Sequence, residues 1–166
     1  MKPYYILFFL AVILQGCSRH SDQKIRKQVT AVAEEYIMSQ LKEPAKTVSD
    51  NGMITISDEQ KKYIIEPSRI FTGLVDDDQK KDAIVSVLTF QGQYQTVSEQ
   101  LIILKTGKEF RLSAAIESDM WIISLENRII TADVPEHSRN TPLFNCESCW
   151  EVVKFQFRMG ELVKVD

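Results

Sequence analysis

From residue 53 onward the chain is written in short strand-like runs separated by turn residues, and this pattern restricts the fold more than any other. The runs fall at 53–56, 63–75, 83–90, 101–105, 110–116, 121–125, 128–132, 150–158 and 162–165. Phe110, Leu112, Ala114 and Ile116 alternate with Arg111, Ser113, Ala115 and Glu117, the two-residue period of a half-buried strand. Val153, Phe155 and Phe157 alternate in the same way with Lys154, Gln156 and Arg158. Thr106-Gly107-Lys108, Glu126-Asn127 and Met159-Gly160 sit between neighbouring runs, and Gly and Asn tolerate the positive φ that tight hairpins need. Connections this short make the strands antiparallel neighbours. Pro67, inside the second run, predicts a bend or an edge there.

One helix is expected ahead of the strands, over 21–41. Ile25, Val29, Val32, Ala33, Tyr36 and Ile37 follow the i, i+3, i+4 rhythm of a one-sided apolar stripe. Ser21 suits the N-cap, Asp22 suits the positive end of the dipole, and Pro44 stops the helix. The stripe must be buried on the sheet. The fold class is therefore α+β, one N-terminal helix packed on a curved antiparallel β-sheet. A half-closed β-barrel with the helix across it is the alternative.

The first residues carry one positive charge at Lys2 and then an apolar run from Tyr4 to Leu14. That run is well short of the roughly 20 residues a spanning helix needs and has the build of a secretory signal. Leu14-Gln15-Gly16-Cys17 resembles the lipobox of bacterial lipoproteins, with Gln15 departing from the usual second position. The resemblance implies cleavage before Cys17, a diacylglycerol on its thiol and an acyl chain on its new amino group. Two or three chains hold a protein stably at a membrane, where one does not. The organisation is then a signal peptide at 1–16, a lipidated N-terminus and short linker at 17–20, and a single domain at 21–166. The linker reaches about 10 Å, which keeps the domain close to the bilayer. Ser18 after the cysteine matches the sorting pattern for the outer membrane, so the expected location is the cell envelope, anchored in that membrane.

The formal net charge is −3, and removal of Lys2 leaves it slightly more negative. Such a balance argues against nucleic acid as a partner. Arg19, Lys24, Arg26 and Lys27 cluster just past the anchor, where they form a solvated helix start or touch anionic headgroups.

Gly73-Leu74-Val75-Asp76-Asp77-Asp78-Gln79-Lys80-Lys81-Asp82-Ala83-Ile84-Val85 resembles the acidic loop-then-strand motif of FG-GAP-like repeats and of uncharacterised periplasmic and lipoprotein domains. In its intact form that motif offers oxygen ligands to Ca²⁺. Aligned on Asp82-Ala83, its acidic positions fall on Leu74, Asp76, Asp78 and Asp82, and its turn glycine falls on Gln79. Asp76, Asp78 and Asp82 remain as ligands for a low-affinity Ca²⁺ site. The competing reading is an acidic turn with no cofactor.

Cys146 and Cys149 are read as a small structural disulfide that fixes the end of a long loop. A thiol-redox pair would open a helix after a strand, whereas this one leads into a strand. Zinc needs four ligands, and only His20 and His137 could add imidazoles. There is no nucleophile elbow and no zinc-protease signature, so no catalytic residue is assigned. The tip around Gln93 and Tyr94 and the loop holding His137 and Arg139 are the candidate recognition loops. Trp121 and Trp150 begin strands and are expected to pack in the core or on a sheet, with a ligand platform as the alternative. The expected function is that of a membrane-anchored envelope lipoprotein, a non-enzymatic binding or accessory module for an envelope protein or glycan. A small periplasmic hydrolase or thiol-redox enzyme is the alternative.

Overall fold

The computed structural model describes residues 4–41, 45–92, 94–135 and 150–165, with only the backbone described for 4–21 and 94–97. A helix α1 (Tyr4–Gln40) leads into ten strands. Six form one sheet in chain order: β1 (Lys46–Asp50), β2 (Met53–Ser57), β3 (Lys61–Gly73), β4 (Asp82–Gln91), β5 (Tyr94–Thr106) and β6 (Glu109–Ser118). The other four are β7 (Trp121–Glu126), β8 (Ile129–Pro135), β9 (Trp150–Arg158) and β10 (Glu161–Val165), in a second sheet ordered β10-β9-β8-β7. Every pairing is antiparallel, and both sheets are open. The α+β class expected from the sequence is the one observed, and the half-closed barrel is not formed. The meander divides at Asp119-Met120, where the chain leaves the first sheet for the second.

The layers are helix, six-stranded sheet and four-stranded sheet. Ile25, Val29, Ala33 and Ile37 of α1 are buried against Ile56, Tyr63, Val85, Val87, Leu101 and Ile103. The helical stripe thus lies where its period places it, with Val32 and Tyr36 at its half-buried margin. On the far side of the first sheet, Ile84 and Ile102 meet Ile122, Leu125, Ile130 and Ala132 of the second. β4 is therefore buried on both faces, and its nearly unbroken apolar run follows from that. Among the described residues, no helix is long and apolar enough to cross a membrane.

Several local expectations are revised. The helix runs from Tyr4 rather than from near Ser21, so Ser21 lies within it and the backbone at 18–20 is helical. No proline lies between Tyr4 and Gln40, and the single Gly16 is an insufficient break. α1 ends at Gln40, and Pro44 lies outside the described residues. β1 was not expected, because Lys46-Thr47-Val48-Ser49-Asp50 has no apolar face and is exposed throughout. Its hairpin with β2 turns on Asn51-Gly52, both at positive φ (49° and 80°), the dipeptide signature of a two-residue turn.

Pro67 lies in a bulge, as its ring requires. The β3–β4 register jumps from Ile65↔Val87 to Ile70↔Val85, which leaves 66–69 unpaired with β4. A second bulge changes the reading of β6. Leu112 pairs with Ile103 and Ala114 with Ile102, so Ser113 is the extra residue. Phe110 and Leu112 then join the helix-side core, whereas Ala114 and Ile116 join the core between the sheets. Their simple alternation had placed all four on one face.

Candidate functional site

Two places gather chemistry among the described residues. The first is the loop between β3 and β4. Asp76, Asp78 and Asp82 each bring an oxygen within 4.8 Å of the others. Nested turns set this up, because the amide of Asp78 donates to Asp76 Oδ1 at 2.9 Å and that of Lys80 to Asp78 Oδ1 at 2.8 Å. Gln79 stands at φ 60°, so the position of the motif's glycine does hold a left-handed backbone. Crowded carboxylates on a turn are ordinarily solvated, but Asp82 is 0 % exposed. Its Oδ2 accepts from the Val75 amide at 3.0 Å and its Oδ1 from the Lys105 amide at 2.9 Å. Burial pushes the Asp82 carboxyl above the usual range, against the pull of those amide bonds. The Lys80 ammonium pairs with Asp78 and, with the Lys80 amide, lowers that carboxyl. One oxygen from each of the three carboxylates falls short of the six to eight that Ca²⁺ takes, and each carboxylate already has a donor.

A cleft of about 560 Å³ opens beside this loop, bounded by Asp76, Asp77, Arg128, Phe157, Arg158 and Met159. Arg128 is paired with Asp77, and Arg158 with the side chain of Gln156. Its polar rim is therefore satisfied internally.

The second place is the outer face of the four-stranded sheet. Ile122, Ala132 and Val153 point into the core, so the alternate residues Trp121, Asp133, Trp150 and Val152 point outward. Asp133 is paired in register with Trp121 on one side and Val152 on the other, and Trp150 lies across from Pro135, one diagonal step away. Trp121, Asp133 and Trp150 line a recess of about 230 Å³. Trp121 is 47 % exposed and Trp150 39 %, so of the expected core or sheet packing the core is ruled out, and both indoles stand on the outer sheet face. The inward positions beside them are held by Ile122 and Val153, and strand parity leaves the indoles outside.

Trp121 is held from behind. The Arg69 guanidinium lies 3.3 Å from its ring centroid, and Glu66 Oε2 accepts from Arg69 Nε at 2.9 Å. Arg69 is only 9 % exposed. It comes from the Pro67 bulge, whose carbonyl at Pro67 also accepts from Arg26 of the helix at 2.9 Å. Arg26 thus ties the helix to the bulge.

The structure brings together Asp76, Asp78 and Asp82 as the motif resemblance implies. Gln93, His137, Arg139, Cys146 and Cys149 lie outside the described residues, and only the backbone of Cys17 and Tyr94 is described. The disulfide, the redox pair and the His137 site therefore rest on sequence alone. Asp133 and Arg69 carried no sequence signal of their own, since neither falls in a motif that points to a site. No protein-family model matches the chain, and no curated protein and no solved structure is found to resemble it.

Proposed function

We propose that the chain is an exported lipoprotein, anchored in the cell envelope through Cys17, whose β-domain is a non-catalytic binding module. The observation that carries this reading is the outer face of the four-stranded sheet, where two exposed tryptophans flank a carboxylate. Large indoles left in water on a rigid sheet are costly to solubility and are used where something covers them. The resemblance of Leu14-Gln15-Gly16-Cys17 to a lipobox supplies the location.

Two measurements test the proposal. Intact mass of protein extracted from native membranes is expected to lack residues 1–16 and to carry acyl chains. An unlipidated full-length mass overturns the anchor. Hydroxyl-radical footprinting then compares the chain in intact envelopes with the detergent-purified protein. Trp121 and Trp150 are expected to oxidise less in the envelope, and equal labelling removes the binding face.

A further inference from the structure

We infer that the recess framed by Trp121, Asp133 and Trp150 takes one neutral pyranose ring of a glycan chain. The inference rests on the reading of this sheet face as the binding surface and names its ligand class.

Three features select a sugar. The first is shape. The recess, about 230 Å³, is smaller than the pockets that take drug-sized ligands, and its walls are two indoles carried by paired strands. A pyranose presents one face of C–H groups and a rim of hydroxyls, so it lies with the C–H face on an indole and the rim toward polar neighbours.

The second is Asp133. It is half-buried between the indoles, and no hydrogen bond or ion pair reaches its carboxylate from the described residues. A purely apolar ligand would strip water from that carboxylate and give nothing back. A vicinal diol donates to both of its oxygens at once.

The third is Arg69, which decides against the obvious rival, an ammonium or guanidinium ligand. Aromatic rings flanking a carboxylate suit a cation in general. Here one face of Trp121 is already occupied by the guanidinium of Arg69 at 3.3 Å. A second cation on the open face meets a like charge across the thickness of one ring. A neutral sugar does not. The same guanidinium locks the indole in place, so the platform is ordered before the ligand arrives.

The chain has two tryptophans and both line the recess, so intrinsic emission reads the site directly. The full lipidated chain, in a detergent without sugar headgroups, is titrated with the β-1,4 trimer of N-acetylglucosamine, with cellotriose and with maltotriose. Tetramethylammonium is titrated in parallel. At least one trisaccharide is expected to produce a saturable emission change with a millimolar or tighter Kd. Asp133→Asn, which keeps the shape and removes the charge, is expected to weaken that Kd by roughly tenfold with an unchanged melting temperature. Trp150→Phe, a milder change, is expected to weaken it as well. No saturable change with any trisaccharide overturns the inference, as does saturation by tetramethylammonium alone. If the trisaccharides fail while footprinting shows both indoles shielded in the envelope, the sugar is wrong and the binding face stands. If the indoles are unshielded too, both fall.

Discussion

The guanidinium of Arg69 stacks on the indole of Trp121, its Cζ 3.3 Å from the ring centroid. This contact joins the bulge in β3, an interior strand of the first sheet, to β7, an edge strand of the second, so it ties the two sheets together. Arg69→Met is expected to lower stability by about 2 kcal/mol, from the lost cation–π contact and the hydrogen bond to Glu66. Arg69→Lys is expected to recover less than half of that, because a point ammonium lacks the planar stack. Urea unfolding of the three proteins measures it, and equal stabilities would mean that the contact does not couple the sheets.

Gln79 holds φ 60°, where an L side chain is strained and glycine is not. Gln79→Gly is expected to raise stability by about 1 kcal/mol. Gln79→Ala is expected to bring no gain, since alanine keeps the Cβ. Thermal melts of both, with and without added Ca²⁺, make the comparison. Because Asp76, Asp78 and Asp82 already have protein donors, the melts are expected to be insensitive to Ca²⁺.

Asp82 is buried, and its carboxyl titrates above the ordinary value of 3.8. Its charged form is thus disfavoured in the folded chain. Its contribution to stability is full below the unfolded pKa and is lost as pH rises through the folded one. Asp82→Asn leaves one of the Val75 and Lys105 amides facing a donor and is expected to cost about 2 kcal/mol at pH 7. The gap between wild type and Asp82→Asn is expected to widen as pH falls from 7 to 4. A gap that narrows on acidification would reverse the assigned direction.

The hydroxyl of Tyr36 on α1 donates to Glu99 Oε2 on β5 at 3.0 Å. Desolvation, helped by the Glu99 charge and hydrogen bond, pushes the phenol up to about 12 from 10.0. The stability it lends is full below pH 10 and is lost as pH rises toward 12. The loss is expected to reach at most about 2 kcal/mol. Burial raises Tyr63 as well, so ultraviolet titration of tyrosinate should show one late-ionising phenol fewer in Tyr36→Phe than in the wild type.

Much of the architecture was readable along the chain. The helix stripe from Ile25 to Ile37 and nine of the ten strands follow from periodicity, and the turns at Gly107, Asn127 and Met159-Gly160 follow from residues that accept positive φ. β1 escaped because its five residues have no buried face, although Asn51-Gly52 announced its hairpin. The acidic loop was legible as a cluster because its spacing is local. That Asp82 is its buried member was not, since the amide of Lys105 reaches it from 23 residues away.

Period and turn chemistry act over a few residues, so they set which segments are strands, which neighbours pair and which side chains share a face within an unbroken strand. They do not say where a strand bulges or which sheet covers which. The extra residue at Ser113 sends Phe110 and Ala114 into different cores, and the departure at Asp119-Met120 creates the second sheet. The recess of Trp121, Asp133 and Trp150 is assembled from three strands, and its rigid wall from a fourth, by way of Arg69. Strand pairing within the second sheet sets those three side by side, and only packing across the sheets brings Arg69, from far earlier in the chain, behind Trp121.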